Sequence, residues 1–199
     1  RLMRFTVSSS ALSSKLNMLA KVIGSKNSLP ILDNFLFQVA GGEMTITASD
    51  NDNVIKSTIA LTDSEGEGEF CVANRVILDA LKELPLQFDV DIDETYAIKI
   101  VYQNGLYNFT GLNAEDYPRS QPMSEECTSV VLSTDLLIDN INRSLFATAS
   151  DELRPVMNGI YFDFTADALA VVASDGHKLV RSRNYSIKSE NPSAFNLPK

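Results

Sequence analysis

The sequence predicts an α+β fold made of two similar units, each with antiparallel sheet and its helices on one side. Three observations carry this. The chain repeats itself: shifted by 125 residues, Pro30 falls on Pro155, Phe37 on Phe162, and Ala48, Ser49 and Asp50 on Ala173, Ser174 and Asp175, without a gap. Apolar positions coincide under the same shift, Phe35 with Ile160, Val39 with Phe164, Met44 with Leu169, Ile46 with Val171 and Val54 with Leu179. Helical periodicity is also confined to short stretches, whereas alternating runs bounded by turn residues are many.

Each unit opens on a short strand and a helix, because the shift superposes Phe5 and Val7 on Val130 and Leu132, Leu12 on Leu137 and Leu16 on Ile141. In the first helix Leu12, Leu16, Leu19 and Ile23 recur at spacings of four, three and four, with Ser13, Lys15, Asn17 and Lys21 largely off that stripe. Ser8 or Ser9 supplies its N-cap and Gly24 its stop. Leu29 to Asp50 reads as two strands around a turn at Ala40 to Gly42, and Arg154 to Asp175 reads the same way around Ala166 and Asp167. A strand from Asn53 to Leu61 follows, then a turn from Asp63 to Gly68 and a strand from Glu69 to Val72. A second helix runs from Asn74 to Leu84 with Val76, Ile77, Ala80, Leu81 and Leu84 inward, and Pro85 terminates it. Strands Phe88 to Ile92, Tyr96 to Tyr102 and Leu106 to Gly111 finish the unit.

Asn113 to Glu126 holds two prolines and several acids without apolar periodicity, so the boundary falls near residue 125, giving units of residues 3–125 and 126–199. By the repeat, the second helix of the second unit begins near position 200. The second unit is expected to be an incomplete and less stable copy of the first, and Arg1 and Leu2 to be additions ahead of Met3.

The 199 residues carry 17 basic and 26 acidic side chains, a formal net charge of -9. That excludes a protein that grips nucleic acid with its whole surface, though not a basic face on an acidic body. Hydrophobic residues at 44% and charged residues at 22% are those of an ordinary globular chain. No run approaches the roughly 18 apolar residues of a membrane span. Cys71 and Cys127 stand alone in different contexts, which reads as two reduced cysteines in a cytoplasmic protein.

Five segments then carry a resemblance: MRFTV from Met3, LPILDNF from Leu29, AEDYP from Ala114, RPVMNG from Arg154 and ASDGHKL from Ala173. In this order and separation they resemble the β subunit of bacterial DNA polymerase III, and the likeness runs from Met3 to the end. The resemblance implies the DNA clamp fold: three similar domains per chain, and two chains joined head to tail in a ring. That homodimer encircles duplex DNA without reading its bases and slides along it. Partners implied are double-stranded DNA, the α subunit of the replicative polymerase, clamp-loader subunits, and other polymerases and repair proteins. The rest of domain two and all of domain three are missing from this pattern.

The resemblance also assigns residues. Lys26, after the first helix, and Arg75, at the start of the second, contact phosphates through the hole, where the bland alternative is ordinary surface charge. Lys15, Lys21 and Lys82 are weaker candidates of the same kind. Arg154 corresponds to a basic DNA-contacting residue; local structural pairing is the alternative, and Leu29 occupies the paired position of unit one. Met157, Ser174, Gly176, His177, Lys178 and Leu179 match one wall of the groove that receives short apolar peptide motifs from partners. Tyr107 and Phe109 share a face of a late strand and belong to the subunit interface, with simple sheet core as the alternative.

Enzyme readings find no support. His177 beside Asp175 invites a general-base reading, but no nucleophile accompanies it, and Asp and Gly after a strand make a turn. Gly66 to Gly68 lacks the Lys and Ser or Thr of a phosphate loop. Asp50, Asp52, Asp89, Asp91 and Asp93 suit solvated faces and turns better than a metal site. No cofactor is expected. The remaining rival is a repeated-domain interaction protein that does not surround DNA.

Overall fold

In the computed structural model, which describes residues 2–199, the first unit begins with strand β1 (Met3–Ser8), whose Met3, Phe5 and Val7 alternate into the core. Ser8 ends the strand and caps helix α1 (Ser9–Leu19), its hydroxyl accepting from the Ala11 N–H at 3.3 Å. Leu12, Leu16 and Leu19 are the buried stripe. The helix then tightens into a 3-10 turn over Ala20–Val22 and leaves helical geometry at Ile23, so Gly24 is not the stop expected of it.

Strands β2 (Asn34–Ala40), β3 (Glu43–Ser49), β4 (Val54–Ala60), β5 (Thr62–Glu65) and β6 (Gly68–Ala73) lead to helix α2 (Asn74–Leu81). Strands β7 (Gln87–Ile92), β8 (Ala97–Tyr102) and β9 (Gly105–Thr110) complete the unit. All pairings are antiparallel, in two sheets ordered β5-β1-β7-β8-β9 and β4-β3-β2-β6. Phe35, Phe37, Ile46, Ile92 and Ile100 from the two sheets share one core with α1, where Phe37 stacks on Phe70 at 5.0 Å.

Four further expectations for unit one are corrected. The Leu29 to Asp33 stretch is not strand: Pro30–Asp33 form a 3-10 turn started by the proline, whose fixed backbone suits a first helical position. Thr62–Glu65, of which Asp63 to Glu65 were expected within a turn, pair with β1 as the edge strand of the five-stranded sheet. Val76 points outward at 44% exposure, because Ile77, Ala80 and Leu81 already define the inner face at spacings of three and four. Helix α2 stops at Leu81, where the Lys82 and Glu83 N–H groups bond three residues back, and Leu84 packs half-buried beyond it.

The chain divides into two compact units, Arg1–Gln121 and Pro122–Lys199. The second holds helix α3 (Thr134–Ser144) and strands β10 (Gly159–Phe164), β11 (Leu169–Ser174), β12 (Leu179–Asn184) and β13 (Ser193–Pro198). Its sheet order, β12-β11-β10-β13, is that of β4-β3-β2-β6. The shift of 125 holds at atomic detail. Ser133 caps α3 by accepting from the Leu136 N–H at 3.2 Å, as Ser8 does from Ala11. Pro155–Asn158 repeats the 3-10 turn of Pro30–Asp33, and Phe162 stacks on Phe195 at 5.2 Å as Phe37 does on Phe70.

The expected opening strand of unit two around Val130 and Leu132 is absent. In unit one β1 lies between β5 and β7, whereas among the described residues unit two has no counterpart of β7 to bond it. Residues 127–131 instead border an open cleft of about 400 Å³ facing residues 186–191.

Candidate functional site

In unit one, Lys26 is exposed on the loop after α1, and that loop is held by its neighbour. Asn27 donates to the Gly24 carbonyl at 3.0 Å and to the Asp33 carboxylate at 2.6 Å. Asp33 also accepts at its backbone carbonyl from the Asn74 side chain at 2.7 Å. Asn74 is the first residue of α2 and Arg75 the second, so one aspartate ties the Lys26 loop to the helix end that carries Arg75. A cleft of about 470 Å³ lined by Gly24, Ser25, Asp33, Asn74 and Arg75 separates the two segments. Neither Lys26 nor Arg75 forms an ion pair among the described residues, so both cations are available to an anionic partner. Of the weaker candidates, Lys82 pairs with Asp79 at 3.2 Å on the open surface, Lys21 is exposed and Lys15 half-buried.

In unit two, the turn between β11 and β12 is built around Asp175. Its carboxylate accepts from the backbone N–H of His177 at 2.8 Å and of Lys178 at 2.7 Å, and the Lys178 ammonium lies 3.1 Å away. The Lys178 and His177 backbone hydrogen bonds, with the Lys178 side chain, hold the Asp175 carboxyl well below the usual carboxylate range. This carboxylate is thus occupied by its own turn, which leaves His177 without the orienting acid a general base needs. Asp50 makes the same turn in unit one, accepting from Asp52 at 3.0 Å and Asn53 at 2.7 Å.

The expected groove residues gather at this turn. Ser174 and Leu179 face each other across the β11–β12 ladder, and Leu179 is 68% exposed. Gly176 has φ +89°, and a side chain added there would come within 4.0 Å of the Met157 sulfur and 3.1 Å of an Arg154 nitrogen. Arg154 spends its guanidinium locally, on the Asp151 carboxylate at 2.8 Å and the Asp175 carbonyl at 3.2 Å. Sequence reasoning missed Asp151, although its spacing of three from Arg154 is a pairing signal, and missed Asp33 and Asn27. It also missed Phe146, an aromatic 63% exposed, which lines a cleft with Asp151, Arg154, His177 and Lys178.

Tyr107 and Phe109 are half-buried against the main core, and Tyr107 stacks on Tyr102 at 6.2 Å. Their strand β9 ends the five-stranded sheet and pairs with β8 alone, so its outer backbone groups are open to a further strand. Among the described residues no cluster of three His, Cys, Asp or Glu side chains is placed to hold a metal ion.

Comparison with known proteins places both units. The DNA polymerase III beta subunit N-terminal domain family matches residues 3–121, and the DNA polymerase III beta subunit central domain family matches residues 131–198. The beta sliding clamp of Pseudomonas putida is 31% identical over 183 residues, 89% of this chain and 48% of the relative. That of Bacillus subtilis is 26% identical over 185 residues, 89% of this chain and 49% of the relative. The chain thus spans about half the length of the curated relatives it matches. Among solved structures, the DNA polymerase sliding clamp from Bacillus subtilis superposes with a TM-score of 0.91 at 25% identity, covering 100% of this chain and 54% of that one. The DNA polymerase III beta subunit from Thermotoga maritima gives 0.83 at 29% identity, covering 98% and 53%. With family matches over both units, the chain belongs to the DNA polymerase III beta subunit family, the bacterial sliding clamps.

Proposed function

We propose that this chain is the N-terminal portion of a processivity factor: a non-catalytic ring, closed by two full-length copies, that encircles duplex DNA in the bacterial cytoplasm. The ring tethers the α subunit of the replicative polymerase, and it takes its clamp loader and repair partners at the same groove. The observation that carries this reading is the match of both units to successive domains of one clamp family. In this reading Lys26 and Arg75 face the duplex and touch phosphates loosely, which suits sliding, since a strong local grip would resist motion. Their lack of acidic partners supports it. Arg154, with its hydrogen-bonding fork already occupied, is the weakest of the three as a phosphate ligand.

Met157, Ser174, Gly176, His177, Lys178 and Leu179 form one wall of the partner groove, supported by the exposed apolar surface of Leu179 beside the ordered Asp175 turn. The open edge of β9, with Tyr107 and Phe109 behind it, makes the subunit contact by strand addition.

The test is primer extension on a long circular template by the replicative polymerase and clamp loader, with and without the full-length protein that carries this segment. Products lengthening from short stretches to the whole circle support a processivity factor; unchanged product length overturns it.

A further inference from the structure

The two units solve one mechanical problem differently. In each, a turn after an Ala-Ser-Asp strand end takes a left-handed residue at its second position, Asn51 with φ 92° in unit one and Gly176 with φ 89° in unit two. Each turn must also be tied to the loop ahead of the 3-10 turn, or only its own hydrogen bonds fix where it points. Unit one uses the turn residue itself: the Asn51 side chain donates to the Ser28 hydroxyl at 2.8 Å. Unit two has lost both partners, since Gly176 stands at the position of Asn51 and Leu153 at that of Ser28.

There the tie runs in the opposite direction. Arg154 reaches from the loop to the Asp175 carbonyl at 3.2 Å, while its other terminal nitrogen holds Asp151 at 2.8 Å. The absent side chain at Gly176 leaves room for this, because a Cβ there would crowd Arg154 at 3.1 Å. The Asp175 carboxylate closes the same turn from within, accepting from the His177 and Lys178 N–H groups at 2.8 and 2.7 Å.

We propose that Arg154 is a positioning residue, a forked brace that fixes the Asp175–Lys178 turn against the preceding loop and so sets the wall of the partner groove. The proposal rests on the groove reading above, and it replaces phosphate contact as the main role of this side chain. A brace needs two donors in a plane, whereas a phosphate contact needs only charge, so lysine separates the two.

The experiment compares wild type, Arg154→Ala and Arg154→Lys by residue-resolved amide exchange on the 199-residue chain. Loss of the brace speeds exchange of the His177 and Lys178 amides about fivefold or more in both variants. The equivalent Asp52 and Asn53 amides, and those of β10 and β11, keep wild-type rates. Wild-type exchange in the alanine variant, or full protection by lysine, overturns the brace. In the full-length protein, a labelled synthetic peptide of Leu and Phe residues with a polar tail then binds the lysine variant about three- to tenfold more weakly. Equal binding by wild type and the lysine variant, with altered exchange, overturns the positioning role. A wild-type protein that ignores the peptide sinks the groove reading and leaves the brace judged on exchange alone.

Discussion

Cys71 and Cys127 differ in what surrounds them, and the difference is measurable. Cys71 is buried in a small cluster with Leu32, Leu36, Ala114 and Tyr117, while Cys127 is exposed. Burial pushes the Cys71 thiol up to about 12, so the reactive thiolate is scarce at neutral pH. One thiol per chain is expected to react with an aromatic disulfide reagent in the native state, and the second only on unfolding; two fast thiols would contradict this burial. The linkage has a definite sign. A thiol raised in the folded state leaves stability full below about pH 9, its ordinary value, and lowers it as pH climbs from there towards 12. Replacing Cys71 with Ser or Ala is expected to flatten that alkaline decline in an unfolding series. At this scale the site was only half legible. Motifs named the turn residues, but the fork of Arg154 depends on Asp151 and on a backbone carbonyl, and the latter leaves no mark in the sequence.

At the scale of elements, capping and burial set the helices. Ser8→Ala and Ser133→Ala each remove one cap and are expected to cost about 1 kcal/mol. Leu16→Ala empties a fully buried site between α1 and the sheets and is expected to cost about 2–5 kcal/mol by denaturant titration. A loss under 1 kcal/mol for Leu16 would mean that α1 does not anchor the core. Most elements were legible because burial imposes a period: the stripe of α1 and the alternation of β2, β3, β10 and β11 follow from which faces are hidden. Thr62–Glu65 was not, since the polar strand Thr-Asp-Ser-Glu sits at an edge and owes its conformation to pairing with β1. The absent strand near Val130 is the reverse case, a suitable pattern that stays irregular without a partner.

Across the whole chain, the two units carry very unequal cores. The main cluster of unit one holds 22 buried apolar residues among those described, and that of unit two holds 7. Since stability follows buried apolar surface, heating is expected to give two transitions, with unit two melting first. Leu169→Ala in unit two should then lower the first and spare the second, and a single transition lowered by that change would contradict independent cores. The 125-residue repeat makes this two-unit plan readable in the sequence, because duplicated packing preserves apolar spacing and turn chemistry together. The proposed ring needs full-length copies, and it is tested most directly by topology. Full-length protein is loaded by its clamp loader onto nicked circular DNA, and the fraction retained in moderate salt is measured before and after the circle is cut. Retention on the circle and loss on cutting is the result expected of a sliding clamp. Equal retention before and after would contradict encirclement, and with it the assignment of Lys26 and Arg75 to the lining of the hole.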